Sequence, residues 1–238
     1  MSDDLTEDAL LDGRVRLLQP RQGFRAAIDP VLLAAFVPAR AGQDVLEMGC
    51  GTGPGFLCLA ARVGDLAVTA IEAAPDVAAI ARRNAALNGV AAEILTADLR
   101  DIVSLPPQHH AFANPPYWTR GTASPFAAHR QAAHEEALLA DWVGAMARPL
   151  RHLGTLSLVL PAARFAEAAA ALRGAGCGAV RLLPLWPRAG VPAKRILIQA
   201  RRGGRGADAV LPGLVLHEAD GRITPAAEAI LREAAPLS

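Results

Sequence analysis

Asp44-Val-Leu-Glu-Met-Gly-Cys-Gly-Thr-Gly-Pro-Gly55 decides the fold. Its first half is an apolar run of strand length, and its second half sets glycines at 49, 51, 53 and 55 ahead of a helical stretch, Pro54 to Val63. Glycine lets the backbone turn tightly and approach a ligand, and the first turn of a helix has unpaired N–H groups to offer it. Glycines at alternate positions weaken a helix start and add no packing, so this loop reads as a ligand cradle rather than a bare turn. A dinucleotide fingerprint would need a third glycine at position 54, which is proline, and no Gly-Lys-Ser/Thr follows for a Walker loop.

On either side, strand-length apolar runs alternate with helical ones, the pattern of βαβ units in a parallel sheet. Strands are expected at 44–49, 67–72, 92–97, 111–114, 154–160, 179–185 and 195–200. The intervening helices are expected at 54–63, 75–88, 134–150 and 162–175, with Asn88-Gly89 stopping the second. No helical stretch separates the last two strands, which implies one antiparallel member in a doubly wound, mostly parallel seven-stranded α/β sheet. A strand at 14–19 and a helix at 28–37, with Asp29 and Pro30 as cap and first helical residue, precede this core. A helix at 223–235 closes the chain. The 238 residues are expected to form one domain: an N-terminal extension over 1–40, a core over 41–205 and a tail over 206–238.

Composition narrows the setting. Hydrophobic residues make up 52% of the chain, and Cys50, Cys58 and Cys177 form no CxxC pair. The core is therefore expected to fold without disulfides, and no metal site is expected. No apolar run reaches the roughly 18 residues of a membrane span, and the first twelve residues carry five acids where a signal peptide would be basic. A cytoplasmic protein with no membrane partner is the expectation, and a monomer is the default assembly.

Glu47-x-Gly49-Cys50-Gly51-x-Gly53 resembles motif I of class I methyltransferases. That resemblance implies that Glu47, Gly49, Cys50, Gly51 and Gly53 hold the amino acid part of S-adenosylmethionine. Glu72, ending the second strand, is placed to accept hydrogen bonds from both ribose hydroxyls of a nucleoside cofactor. Asp98 occupies the position where the class contacts the adenine amine, with the Leu99 backbone amide beside it; Asp98 reads equally as a cap for the next turn.

Asn114-Pro115-Pro116-Tyr117 follows the fourth strand. Two prolines remove two backbone donors and stiffen the loop, which leaves the surrounding carbonyls to face a ligand. The Asn114 amide oxygen and the Pro115 carbonyl could accept both protons of an –NH2 group. The nitrogen lone pair would then point at a methyl sulfonium while Tyr117 stacks on the planar group. Such chemistry requires no metal and no strong base. Trp118 either extends that aromatic wall or packs, and His134 either caps a helix or touches substrate.

These residues look like those of amino methyltransferases acting on adenine N6, guanine N2 or a glutamine amide. More closely, Phe24–Ala35, Phe112–Tyr117, Ala133–Glu136, Ala193–Ala200 and Leu214–Glu218 resemble the bacterial tRNA1(Val) adenine-37 N6-methyltransferase family over about residues 12–231. The resemblance implies S-adenosyl-L-methionine as cofactor and tRNA as partner. Charge is consistent with that partner: the net charge is only +1, yet Arg181, Arg188, Lys194, Arg195, Arg201, Arg202 and Arg205 lie in one stretch without an acid. They are expected to make one positive edge for phosphates, the alternative being a solvated face. Other readings of the same chain are a guanine N2 or protein glutamine amide acceptor, and a non-catalytic RNA-binding module on a methyltransferase scaffold.

Overall fold

A computed structural model describes residues 5–21, 28–116 and 138–237. The chain opens with a hairpin, β1 (Leu5–Leu10) and β2 (Val15–Pro20), paired antiparallel from Leu5 opposite Pro20 to Leu10 opposite Val15. Its turn holds Leu11, Asp12 and Gly13 at positive φ. Next come α1 (Asp29–Phe36), β3 (Asp44–Met48), α2 (Pro54–Val63), β4 (Ala67–Glu72), α3 (Pro75–Leu87), β5 (Ala92–Thr96) and β6 (Gln108–Ala113). The second half holds α4 (Leu139–Ala147), β7 (Leu150–Pro161), α5 (Phe165–Gly174), β8 (Cys177–Trp186) and β9 (Arg195–Arg202). Two short strands, β10 (Ala209–Val210) and β11 (Leu214–Val215), precede α6 (Pro225–Glu233).

The main sheet runs in the order β10-β8-β9-β7-β6-β3-β4-β5, with β11 also on β8. Only β9 is antiparallel to its neighbours β7 and β8 within this sheet. Alternation within the buried strands assigns the two faces. Val45, Phe112, Val159 and Leu197 join one apolar cluster with α1, α2 and α6 residues. Their strand neighbours Leu46, Ala111, Ala113, Leu158, Leu160, Ile196 and Ile198 join another with α4 and α5. A strand side-chain period of two thus makes a sheet with helices on both sides. The expected fold class holds, with three additions: β1, which pairs with the expected N-terminal strand, and β10 and β11, which are two residues each and too short to leave a hydrophobic pattern.

Other boundaries moved for local reasons. The helix expected over 134–150 is observed only as α4; residues 134–137 lie outside the described residues. At its start the Asp141 carboxylate accepts from the Leu138 N–H at 2.9 Å. At its end stands Pro149, which cannot donate the N–H a continued helix needs, and Leu150 begins β7. Asp29 does not cap α1. The cap is Ile28 without a side-chain bond, and the Asp29 carboxylate lies 3.2 Å from the Arg195 guanidinium. The expected stop at Asn88-Gly89 is observed, with Gly89 at φ +64°. Residues of the tail, Ala227 and Ile230 of α6, pack into the same apolar cluster as β3 and α1.

Candidate active site

Four neighbouring strands, β6, β3, β4 and β5, end at the carboxyl edge of the sheet, where open α/β sheets bind ligands. Their ends bring together Asn114, the glycine loop, Glu72 and Asp98. Within the β3–β6 pairing Glu47 stands opposite Phe112, so continuing that register sets Asn114 level with Gly49.

The loop after β3 is built from left-handed glycines: Gly49, Gly51 and Gly53 have φ of +66°, +57° and +97°. Space forbids side chains at two of them as well. A Cβ on Gly49 would stand 2.5 Å from the Trp142 ring of α4, and one on Gly53 2.6 Å from the Phe56 ring. These two aromatic residues support the cradle from below and escaped the sequence reading, because each looks like ordinary core. Gly55 is required differently, since a Cβ there would overlap the Glu47 carboxylate.

Glu47 is buried and its Oε2 accepts the Phe56 N–H at 2.7 Å. Burial, reinforced by the nearby Glu72 charge and opposed by that hydrogen bond, pushes its carboxyl up to about 8. Glu72, also buried, accepts the Gly51 N–H at 3.0 Å through Oε2 and the Ala74 N–H at 2.9 Å through Oε1. The second carboxylate therefore ties the glycine loop to the end of β4. Cys50 is buried and donates its backbone N–H to the Ile71 carbonyl. Its thiol is pushed well up by desolvation, so it acts as a small apolar filler there.

Asp98 forms a two-pronged pair with Arg100, Nε to Oδ1 at 2.9 Å and Nη2 to Oδ2 at 2.8 Å, and also accepts the Arg100 N–H. These bonds to Arg100 are those of a turn cap, and Leu99 beside it is buried. Asn114 differs from both acids. Its Oδ1 is shielded from solvent and accepts no hydrogen bond from the described residues. A buried acceptor without a partner is costly unless a ligand supplies the donor. Pro115 is buried and Pro116 half-buried beside it. Tyr117, Trp118 and His134 lie outside the described residues.

The seven cations do not form one edge. β9 is antiparallel, so Lys194 and Arg195 lie at the carboxyl edge with Arg188, whereas Arg201, Arg202 and Arg205 lie at the opposite edge. Eight residues of strand separate the two groups by about 23 Å. Arg195 is paired to Asp29, Arg202 donates to the Ala175 carbonyl, and the Arg181 guanidinium sits 6.0 Å from the Phe36 ring centre.

Strand order, glycine cradle and two buried strand-end carboxylates define a class I S-adenosylmethionine-dependent methyltransferase. The methyltransferase domain family matches residues 45–113. A solved structure from Agrobacterium tumefaciens, the predicted O-methyltransferase Atu636, superposes with a TM-score of 0.73 at 27% identity, covering 88% of this chain and 98% of that one. The tRNA1(Val) (adenine(37)-N6)-methyltransferase of Aeromonas hydrophila is 30% identical over 205 residues, 84% of this chain and 86% of that protein. The protein of the same description from Dickeya chrysanthemi is 27% identical over 223 residues, 90% and 88% of the two chains. The chain belongs to the tRNA1(Val) (adenine(37)-N6)-methyltransferase family.

Proposed function

We propose that this protein methylates the exocyclic N6 of an unpaired adenine in tRNA, an anticodon-loop A37 site, in the cytoplasm. The observation that carries this reading is the buried, unpartnered Oδ1 of Asn114 at the carboxyl edge. An amide oxygen so placed has no donor among the described residues, and a planar amino group brings two. Bound S-adenosylmethionine supplies an electrophilic methyl on sulfur.

The chain's own residues do the rest. Asn114 Oδ1 and the Pro115 carbonyl accept the two amino protons and orient the nitrogen, Pro116 keeps the loop stiff, and Tyr117 stacks on the base. Glu47 and residues Gly49, Cys50, Gly51 and Gly53 receive the amino acid part of the cofactor, for which a buried carboxylate is the complement of an ammonium. Glu72 takes the ribose, and Asp98 with the Leu99 amide borders the adenine. Since a hydroxyl acceptor has a single proton, the Asn-Pro pair suits nitrogen better than oxygen. An anticodon loop presents its bases unpaired, so splaying one into the site costs less than from a duplex. Arg188, Lys194 and Arg195, on the same edge as the site, face the phosphates of the bound loop; Arg201, Arg202 and Arg205 are proposed as weaker, distal contacts.

Nucleoside digests of tRNA from cells with and without the gene test the reading. N6-methyladenosine is expected to fall in the deletion strain and return with the wild-type gene but not with Asn114→Ala. An unchanged digest, or methyl incorporation in vitro that is sensitive to protease but resistant to ribonuclease, would move the acceptor to a protein.

A further inference from the structure

A buried asparagine outside the site ties the glycine loop to the N-terminal hairpin. Asn84 lies on the buried face of α3 with Val77, Ala78, Ala81 and Ala85, and is fully buried itself. A polar side chain at an apolar-periodic position requires partners, and it has three. Oδ1 accepts the Leu18 N–H at 2.8 Å, and Nδ2 donates to the Leu18 carbonyl at 2.9 Å and to the Thr52 carbonyl at 2.8 Å. One turn later Asn88 repeats both bonds to β2, accepting from the Arg16 N–H at 2.8 Å and donating to the Arg16 carbonyl at 2.7 Å, while its third bond goes to the Asn84 carbonyl. Two helix side chains at i and i+4 thus pair with alternate residues of β2, as a strand would.

Only Asn84 reaches further, to the cofactor loop. Thr52 lies between the left-handed Gly51 and Gly53, whose missing side chains leave the intervening peptide planes free to rotate. The Thr52–Gly53 plane is held at both ends: its carbonyl by Asn84, and its N–H by the Cys50 carbonyl at 2.9 Å. A planar trans peptide fixed at oxygen and hydrogen has no remaining rotation.

We propose that Asn84 is a positioning residue that couples the N-terminal hairpin to cofactor binding, holding the Thr52–Gly53 peptide in its binding conformation only while β2 is docked. The inference rests on the reading that residues 49–55 receive S-adenosylmethionine. It makes the β1–β2 hairpin a support of the cofactor loop.

S-adenosylhomocysteine binding, followed by calorimetry on the full chain, separates the two asparagines. Asn84→Ala is expected to weaken binding at least tenfold. Asn88→Ala, which loosens the hairpin but leaves Thr52 held, is expected to stay within twofold of wild type, circular dichroism confirming that both are folded. Amide exchange on the unmutated protein supplies an arm that does not depend on a variant folding: the ligand is expected to slow exchange at Leu18 more than at Arg16. Unchanged affinity in Asn84→Ala, equal weakening in both variants, or equal protection of the two amides would overturn the coupling. A wild-type chain that binds no S-adenosylhomocysteine would instead sink the cofactor reading itself.

Discussion

Glu47 and Gly55 are a matched pair, since the carboxylate occupies the space a Cβ at 55 would fill. Gly55→Ala is expected to cost about 1–3 kcal/mol, the range for overpacking a filled site, and to weaken S-adenosylhomocysteine binding, both measurable by thermal shift with and without ligand. Because burial holds Glu47 protonated up to about 8, an ammonium arriving beside it should draw that proton off. Near pH 7 binding is therefore expected to release close to one proton, read as calorimetric heats that vary with the buffer's ionisation enthalpy; heats independent of buffer would contradict it. Asn114→Ala is expected to lower kcat by about 10²–10³, the cost of losing one preorganised polar contact, with S-adenosylhomocysteine affinity nearly unchanged. At this scale Glu47, Glu72 and Asn114 were legible because strand ends and glycine spacing mark them. Trp142 and Asn84 were not, because their roles exist only once distant segments meet, and Phe56, three residues after Gly53, looks like ordinary core until the turn is built.

Among the elements, β9 matters most for how charge is read. A run of basic residues in sequence became two groups because an extended strand carries its ends to opposite edges of the sheet. Arg188→Glu and Lys194→Glu are expected to raise the KM for tRNA about tenfold, by repelling phosphate, while Arg201→Glu and Arg205→Glu stay within about twofold. Equal effects in steady-state kinetics on all four would return the cations to one surface. The strands and helices that alternate from Asp44 to Gly89 were readable to within a residue or two, since buried parallel strands are continuous apolar runs bounded by turn signals. β1 was not, because Leu5-Thr-Glu-Asp-Ala-Leu10 is too acidic to resemble a strand until β2 folds back on it. α6 is anchored by Thr224, whose Oγ accepts the Ala227 N–H and donates to the Val215 carbonyl. Thr224→Ala is expected to cost about 1–2 kcal/mol in urea denaturation and leave ligand binding alone.

Across the whole molecule two buried groups give stability opposite pH dependences. His110, held between Thr155 Oγ at 2.7 Å and Gln43 Oε1 at 2.9 Å, is pushed down to about 4, mainly by burial. The unfolded chain takes up that proton near 6.5, so this contribution is complete above 6.5 and lost as pH falls toward 4. Glu47 works the other way: its folded value is raised, so its contribution is complete below about 4.5 and lost as pH rises toward 8. Each amounts to about 2–3 kcal/mol between pH 5 and 7, so wild-type stability is expected to be nearly flat there. His110→Gln should then lose stability as pH rises, and Glu47→Gln as pH falls, in urea titrations at the two values; parallel curves for all three proteins would contradict the assignment.

The pairing of α3 with the hairpin also bears on what the chain does in a crowded solution. A two-stranded ribbon has two open rims of backbone N–H and C=O groups, each a template for a strand of another molecule. On β2 that rim is occupied by the side-chain amides of Asn84 and Asn88, while on β1 the Glu7 and Asp8 carboxylates reach across the hairpin to Arg16 and Gln19. Two asparagines thus close one rim of the ribbon to strands of another copy, a safeguard against aggregation set on the face of α3 rather than on the ribbon itself.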